Sequence, residues 1–221
     1  MWRLKMKFTE SQYRLQLITH RNTYISDVKL AEMALDGGCR WIQLRMKNSP
    51  LKDIIDNAME IKQLCHDVGA VFILNDDVQL CKEIGADGVH VGQHDMSVEK
   101  ARKILGDQYI IGATCNTFND IKKVYKFADY VGLGPFRYTT TKQNLSPVIG
   151  LEGYKTICCQ CNENQIDIPI TAIGGITSRD VADILQAGVR SVAVSGEILN
   201  AKDPQKKVEE IIDILEKNKK I

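Results

Sequence analysis

Phe72-Ile-Leu-Asn-Asp-Asp-Val-Gln-Leu-Cys-Lys-Glu-Ile-Gly-Ala-Asp-Gly-Val-His-Val-Gly-Gln-His-Asp95 reads as strand, turn, helix, turn, strand. Val71–Leu74 is a short apolar run, as expected of a strand buried on both faces. Val78, Leu80, Cys81 and Ile84 are apolar at helical spacing, and Gly85 stands where a left-handed C-cap belongs. Gly88–Val91 is the next strand. So short a crossover predicts a right-handed βαβ unit. Asn75-Asp76-Asp77 and Gly92-Gln93-His94-Asp95 then lie on one edge of a parallel sheet. Neighbouring strands are about 4.8 Å apart, so Asp76 and Asp95 can converge. Two carboxylates beside a carboxamide suit a hard cation such as Mg²⁺, which takes oxygen ligands and a substrate phosphate. The plainer alternative is that Asp76 and Asp77 cap the helix.

The βα alternation extends along the whole chain. Strands are expected at Tyr13–Thr19, Trp41–Leu44, Val71–Leu74, Gly88–Val91, Tyr109–Ala113, Tyr130–Leu133, Pro169–Ile173 and Ser191–Val194. Helices are expected at Val28–Leu35, from Pro50 to about Val68, and at Val78–Ile84, Val98–Leu105, Asn119–Phe127, Gly153–Cys161 and Arg179–Gln186, with a charged final helix from Pro204. Ser49, Ser97 and Ser178 are the expected caps. The segments Gly-Gly-Cys-Arg-Trp-Ile-Gln-Leu-Arg, Gly-Ala-Asp-Gly-Val-His-Val-Gly, Phe-Ala-Asp-Tyr-Val-Gly-Leu-Gly and Ala-Gly-Val-Arg-Ser-Val-Ala-Val-Ser-Gly resemble one another around strands two, four, six and eight. Eight strands in strict alternation predict a single (β/α)8 TIM barrel over residues 1–221, with 1–12 an N-terminal extension and 217–221 a frayed end. An open doubly wound sheet is disfavoured, because no GxGxxG follows the first strand.

Composition restricts the function classes. A net charge of +1 gives no electrostatic case for nucleic acid or a membrane surface. No apolar run approaches the ~18 residues of a membrane span, and the first residues lack the apolar core of a signal peptide. Seven scattered cysteines suit reduced thiols in the cytoplasm. Cys158, Cys159 and Cys161 read as an apolar helix face, since no second pair or nearby His completes a zinc site. Homo-oligomers are compatible with all of this.

In a barrel the strand C-termini form the active face. That face is expected to gather Gln43, Arg45, Lys47, Asn75, Asp76, Asp95, Thr114, Asn116, Thr139, Thr141, Lys142, Gly174, Gly175, Ser195 and Gly196. Gly174-Gly175 and Ser195-Gly196 follow strands seven and eight, where barrels commonly bind phosphate through backbone N–H groups. The loop Gly134–Ile149, with Thr139-Thr140-Thr141-Lys142, offers hydroxyls and a cation and is a candidate lid. Two anionic sites and no paired nucleophile and base favour metal-assisted loss of pyrophosphate over covalent catalysis. His90, mid-strand, is expected in the core or supporting the site; His94 stands beside the carboxylates.

These residues resemble the thiamine-phosphate synthase family. The resemblance runs from Tyr13 to about Asp203. It is carried by Gln43-Leu44-Arg45-Met46-Lys47, Asn75-Asp76, Gly85–Gln93 with Asp95, Tyr130–Phe136, Thr139-Thr140-Thr141-Lys142 and Gly174-Gly175-Ile176. It implies a transferase that joins a hydroxymethylpyrimidine diphosphate to a thiazole phosphate, giving thiamine phosphate and pyrophosphate. Asp76 and Asp95 are then Mg²⁺ ligands. Gln43, Leu44, Arg45, Met46, Lys47, Asn75, Thr114 and Lys142 hold the pyrimidine diphosphate. Thr139, Thr140, Thr141, Gly175, Ser195 and Gly196 hold the thiazole phosphate. Arg45, Lys47 and Lys142 stabilise the leaving group. Thr114 stands where the family commonly has Ser, Asp77 where Arg is frequent, Tyr138 where Pro is usual and Gly196 where Ser is frequent. The rival readings are a thiazole tautomerase of the same barrel, another phosphate-binding barrel isomerase, and a non-catalytic barrel that binds a phosphate ligand.

Overall fold

In a computed structural model, which describes residues 9–20, 24–138 and 147–218, the eight strands close into a parallel barrel in sequence order. The strands are β1 Leu15–Ile18, β2 Trp41–Leu44, β3 Val71–Asn75, β4 Gly88–Val91, β5 Ile110–Cys115, β6 Tyr130–Leu133, β7 Ile170–Ile173 and β8 Ser191–Val194. The helices are α1 Glu10–Tyr13, α2 Asp27–Asp36, α3 Leu51–Asp67, α4 Val78–Ile84, α5 Val98–Leu105, α6 Phe118–Val124, α7 Gly150–Glu163, α8 Val181–Gln186, α9 Gly196–Leu199 and α10 Pro204–Lys217. No described helix is long and apolar enough to cross a membrane.

Local chemistry places most of these ends. Ser26 accepts from Lys29 N, Ser97 from Lys100 N and Asp203 from Lys206 N at the starts of α2, α5 and α10. Gly85 ends α4 in the left-handed region (φ 63°), which costs glycine nothing. Two expected caps differ. Pro50, not Ser49, takes the N-cap of α3, and no side chain caps it. Ser178 lies inside a 3₁₀ turn, Ser178–Asp180, whose cap is Thr177: Thr177 and Asp180 bond reciprocally. The Thr-x-x-Asp pair satisfies two orphan N–H groups where Ser178 alone would satisfy one. Ser178 instead turns to Glu197 of α9. Helices α1 and α9, one turn each, carry too little periodicity to be read from sequence.

Strand alternation divides the core. Outward residues such as Ile42, Leu44, Phe72, Val89 and Val131 pack under the helices. A separate inward cluster of Tyr13, Trp41, Val71, Ile73, Ile110 and Tyr130 closes the lower barrel. Tyr13 stacks on Trp41 (5.0 Å), and Trp41 meets Tyr130 edge-on (4.7 Å). Tyr13, expected to open the first strand, instead ends α1, one residue beyond the expected 1–12 extension. Gln12 Nε2 anchors that turn to Gly69 O at 2.7 Å. All seven cysteines are free; Cys158 and Cys161 share the buried face of α7, but Cys159 is exposed and lies off that face, contrary to the expectation.

Candidate active site

At the strand C-termini, a cleft of about 330 Å³ is lined by Gln43, Arg45, Lys47, Asn75, Asp76 and Asp95 on one side. Gly174, Gly175, Thr177, Ser195, Gly196 and Glu197 line the other, and His90, Thr114 and Asn116 the floor and flank. A second cleft, about 520 Å³, opens at the opposite end beside His66 and Asp87. Active sites of this fold sit at the C-terminal end of the strands, so the first cleft is the candidate.

Asp76 and Asp77 divide the two roles that the sequence left open. Asp77 Oδ1 accepts from Leu80 N at 2.9 Å and caps α4. Asp76 adopts φ 67°, an uncommon conformation for a residue with a side chain, though one that Asp tolerates better than most. Its N–H donates to His90 O at 2.8 Å, which joins the ends of β3 and β4. Its carboxylate therefore faces the cleft, 3.0 Å from Lys47 Nζ. Asp95 is turned back by Gly92 N–H, which donates to Oδ2 at 2.9 Å. A Cβ on Gly92 would stand 2.6 Å from that oxygen, so only glycine admits this return.

The two carboxyls come within hydrogen-bonding reach of each other. Burial first, and Asp95 second, push Asp76 above the usual carboxylate range while Lys47 opposes them. Burial also works against ionisation of Asp95, but hydrogen bonds from Asp76 and Gly92 N–H outweigh it and hold that group low. The two carboxyls therefore titrate as a pair, with Asp76 the harder to ionise. Such a donor set fits a divalent cation, whose charge relieves the repulsion between the two carboxylates. Among the described residues no three His, Cys, Asp or Glu side chains converge. Mg²⁺ needs no such cage: it takes one or two carboxylates, water and substrate phosphate.

Arg45 is half-buried; burial lowers its pKa and Asp76 partly restores it. Leu44 and Met46 turn their side chains into the helix layer, so only their backbone can serve a ligand. Thr139, Thr140, Thr141 and Lys142 lie outside the described residues.

On the opposite side, Gly174 and Gly175 both have positive φ (97° and 70°). Arg137 supports this turn. It donates to Gly175 O at 3.0 Å and grips Asp180 with two nitrogens at 2.8 and 2.6 Å. Its guanidinium also lies over Phe136, 4.9 Å from the ring centroid. Burial opposes ionisation of Asp180, but Arg137 and Thr177 hold its pKa below the ordinary value. Ser195 Oγ is buried with no hydrogen-bond partner among the described residues, so it is available to a ligand oxygen. Gly196 does not need to be glycine for backbone reasons: an added Cβ meets nothing closer than 3.6 Å. Arg137 and Glu197 were not expected. Arg137 had one local signal, the Phe-Arg following Gly134-Pro135, but its partner Asp180 is 43 residues away.

The thiols are not placed as nucleophiles. Burial pushes Cys81 up to about 12 and raises Cys115 further, and Cys115 faces the helix layer.

Fold and cleft together define a (β/α)8-barrel enzyme whose strand ends assemble a carboxylate pair beside cationic side chains and, opposite them, a glycine turn. The family model for thiamine monophosphate synthase matches residues 15–198, and the chain belongs to that family. It is 52% identical over 201 residues to the thiamine-phosphate synthase of Phocaeicola vulgatus, covering 90% of this chain and 97% of that one. The thiamine-phosphate synthase of Bacteroides thetaiotaomicron is 48% identical, with 90% and 96% covered. Among solved structures, thiamine phosphate pyrophosphorylase from Pyrococcus furiosus superposes with a TM-score of 0.84 at 32% identity, covering 95% of this chain and 98% of that one.

Proposed function

We propose that this chain joins a hydroxymethylpyrimidine diphosphate to a thiazole phosphate, forming thiamine phosphate and pyrophosphate. The observation that carries the reading is the two-sided cleft. Asp76, Asp95, Lys47 and Arg45 line one wall, and the Gly174-Gly175 turn with the Ser195 hydroxyl, unpartnered among the described residues, forms the other. Two differently built anion sites suit two phosphorylated substrates. A barrel that binds the thiazole phosphate alone leaves the carboxylate wall without a use.

Lys47 and Arg45 bind the diphosphate and stabilise the charge that accumulates on it as it departs. Asp76 and Asp95 would hold Mg²⁺, which when bound supplies further positive charge to the pyrophosphate oxygens. The methylene C–O bond breaks and its electron pair leaves with pyrophosphate. The electron-rich aminopyrimidine carries the resulting cation. The glycine turn and Ser195 hold the second substrate by its phosphate, so its ring nitrogen is already close. That nitrogen's lone pair forms the new C–N bond, and no protein nucleophile takes part. Lys142, Thr139 and Thr141 complete the contacts in the family pattern.

The test is direct. Purified protein is mixed with both substrates and Mg²⁺, and products are separated by chromatography. Thiamine phosphate and pyrophosphate in equal amounts support the reading. Thiazole isomerisation without coupling would refute it in favour of a tautomerase.

A further inference from the structure

Beneath the cleft, a chain of side-chain hydrogen bonds crosses the barrel. Gln16, Gln43, His90 and Tyr130 are all buried. Gln43 Nε2 donates to Asn75 Oδ1 at 2.7 Å. Gln16 Nε2 donates to Gln43 Oε1 at 3.0 Å and to the Tyr130 hydroxyl at 3.3 Å. That hydroxyl is 3.0 Å from His90 Nδ1, and His90 Nε2 is 3.0 Å from Thr114 Oγ1. Both ends of the chain, Asn75 and Thr114, line the cleft.

The space for it is reserved by two glycines. A Cβ on Gly112 would stand 2.4 Å from the Tyr130 hydroxyl and 2.5 Å from His90 Nδ1. A Cβ on Gly132 would reach His90 Cε1 at 3.0 Å. Gly112 pairs with His90 and with Tyr130 across β4–β5–β6.

Each link has a direction. Because Tyr130 accepts from Gln16, its own hydrogen goes to His90 Nδ1. The imidazole must then carry its proton on Nε2 and donate it to Thr114. Thr114, having accepted, has its hydroxyl hydrogen left for the cleft. Asn75, having accepted at Oδ1, presents Nδ2. Neither group has another partner among the described residues. The opposite sense would present the Asn75 oxygen and a Thr114 lone pair to an anionic substrate. An amide flip at one residue alone would face donor with donor or acceptor with acceptor, so the links reverse only together.

We propose that Gln16, with Tyr130 and His90, is a positioning residue that sets this direction and so makes Asn75 and Thr114 donors to the pyrimidine diphosphate. The proposal takes those two as substrate contacts and rests on the function proposed above. Gln16 does not line the cleft. It acts because its amide nitrogen has two hydrogens and serves both branches at once.

Substituting Gln16→Glu keeps the shape and replaces the two-hydrogen donor by a carboxylate that only accepts. Both branches then reverse. At pH 8 the KM for the pyrimidine diphosphate is expected to rise on the order of 10²-fold, the scale of two mispaired polar contacts. Gln16→Met, which leaves the direction unset, is expected to raise it about tenfold. The KM for the thiazole phosphate should stay within about twofold in both, because the chain does not reach Gly175 or Ser195. Nitrogen-15 NMR of histidine-labelled protein, with the His90→Gln variant to assign the signal, reads the tautomer directly. Wild type should show His90 protonated at Nε2, and Gln16→Glu should show it at Nδ1. A wild-type His90 protonated at Nδ1 overturns the proposal whether or not any variant folds. So does an unchanged diphosphate KM in Gln16→Met that melts as a folded protein. Failure of wild type to form thiamine phosphate would instead sink the functional reading, while the tautomer remains measurable.

Discussion

Arg137→Ala is the perturbation that best separates the two walls of the cleft. Arg137 makes two charge-assisted bonds to Asp180 and one to Gly175 O. Its side chain is 43% exposed and that of Asp180 is 14% exposed. A charged hydrogen bond contributes about 1.5–3 kcal/mol when sheltered, and solvent on the Arg137 side reduces this. Asp180 also keeps its bonds from Thr177 N and Oγ1 at 2.8 and 2.7 Å. A net loss of about 1–2 kcal/mol is the reasonable sum. For a domain of this size that lowers Tm by roughly 2–8 °C. The functional loss is more selective. Gly174 and Gly175 occupy left-handed backbone regions, and Arg137 Cγ fills the space where a Gly175 side chain would stand, 2.5 Å from that position. Without the arginine the turn loses its support, and its N–H groups lose their aim at a phosphate. The KM for the thiazole phosphate is expected to rise about tenfold, the scale of one lost oriented contact, with that for the pyrimidine diphosphate nearly unchanged. Arg137→Lys should recover little, since an ammonium cannot reproduce the fork. Calorimetry and two-substrate steady-state kinetics check both halves. Equal rises in both KM values at an intact Tm, or a fall in Tm with neither KM altered, would refute the division of the cleft argued here.

Removing divalent cations with EDTA should abolish turnover and re-adding Mg²⁺ should restore it; this is checked by rate measurements with metal content verified. Gly92→Ala should leave the fold intact, because the added methyl meets only the movable end of Asp95. It should weaken Mg²⁺ binding by about tenfold or more by displacing that carboxylate, as read by calorimetric titration of Mg²⁺ with pyrophosphate present. Asp180→Asn should cost stability at neutral pH and none in acid. The native Asp180 pKa lies below its unfolded value, so its contribution is complete above about pH 4 and is lost as pH falls through the lowered value; paired denaturant melts across pH 2–7 check this. Lys142→Ala should cut kcat by roughly 10²–10³, the scale of losing one charge-stabilising donor, with KM nearly unchanged; a raised KM at unchanged kcat would make Lys142 a simple binding residue.

What the sequence by itself determined is what short-range physics encodes. Alternation and helical spacing placed Val78–Ile84, Gly88–Val91, Val98–Leu105 and Tyr130–Leu133 at their observed bounds. Gly85 could be read as a C-cap because the demand for a left-handed residue is local. Eight such units allow few closures, so the barrel and its active end followed, and with them the meeting of Asp76 and Asp95. Local rules failed where two neighbours satisfied them equally. Ser49 and Pro50, or Thr177 and Ser178, differ in register by one residue; the reciprocal Thr177–Asp180 bonds decide the second start, and no side chain caps the first. Asp76 and Asp77 are the same residue type side by side. Only the hydrogen bond from Asp76 to β4, made on closure of the sheet, turns one carboxylate to the cleft and leaves the other to cap a helix. Arg137 with Asp180, and Gln16 with Tyr130, are contacts between strands and loops far apart in the chain. Their energy depends on distance and direction after the barrel closes, and no periodicity along the sequence carries that information.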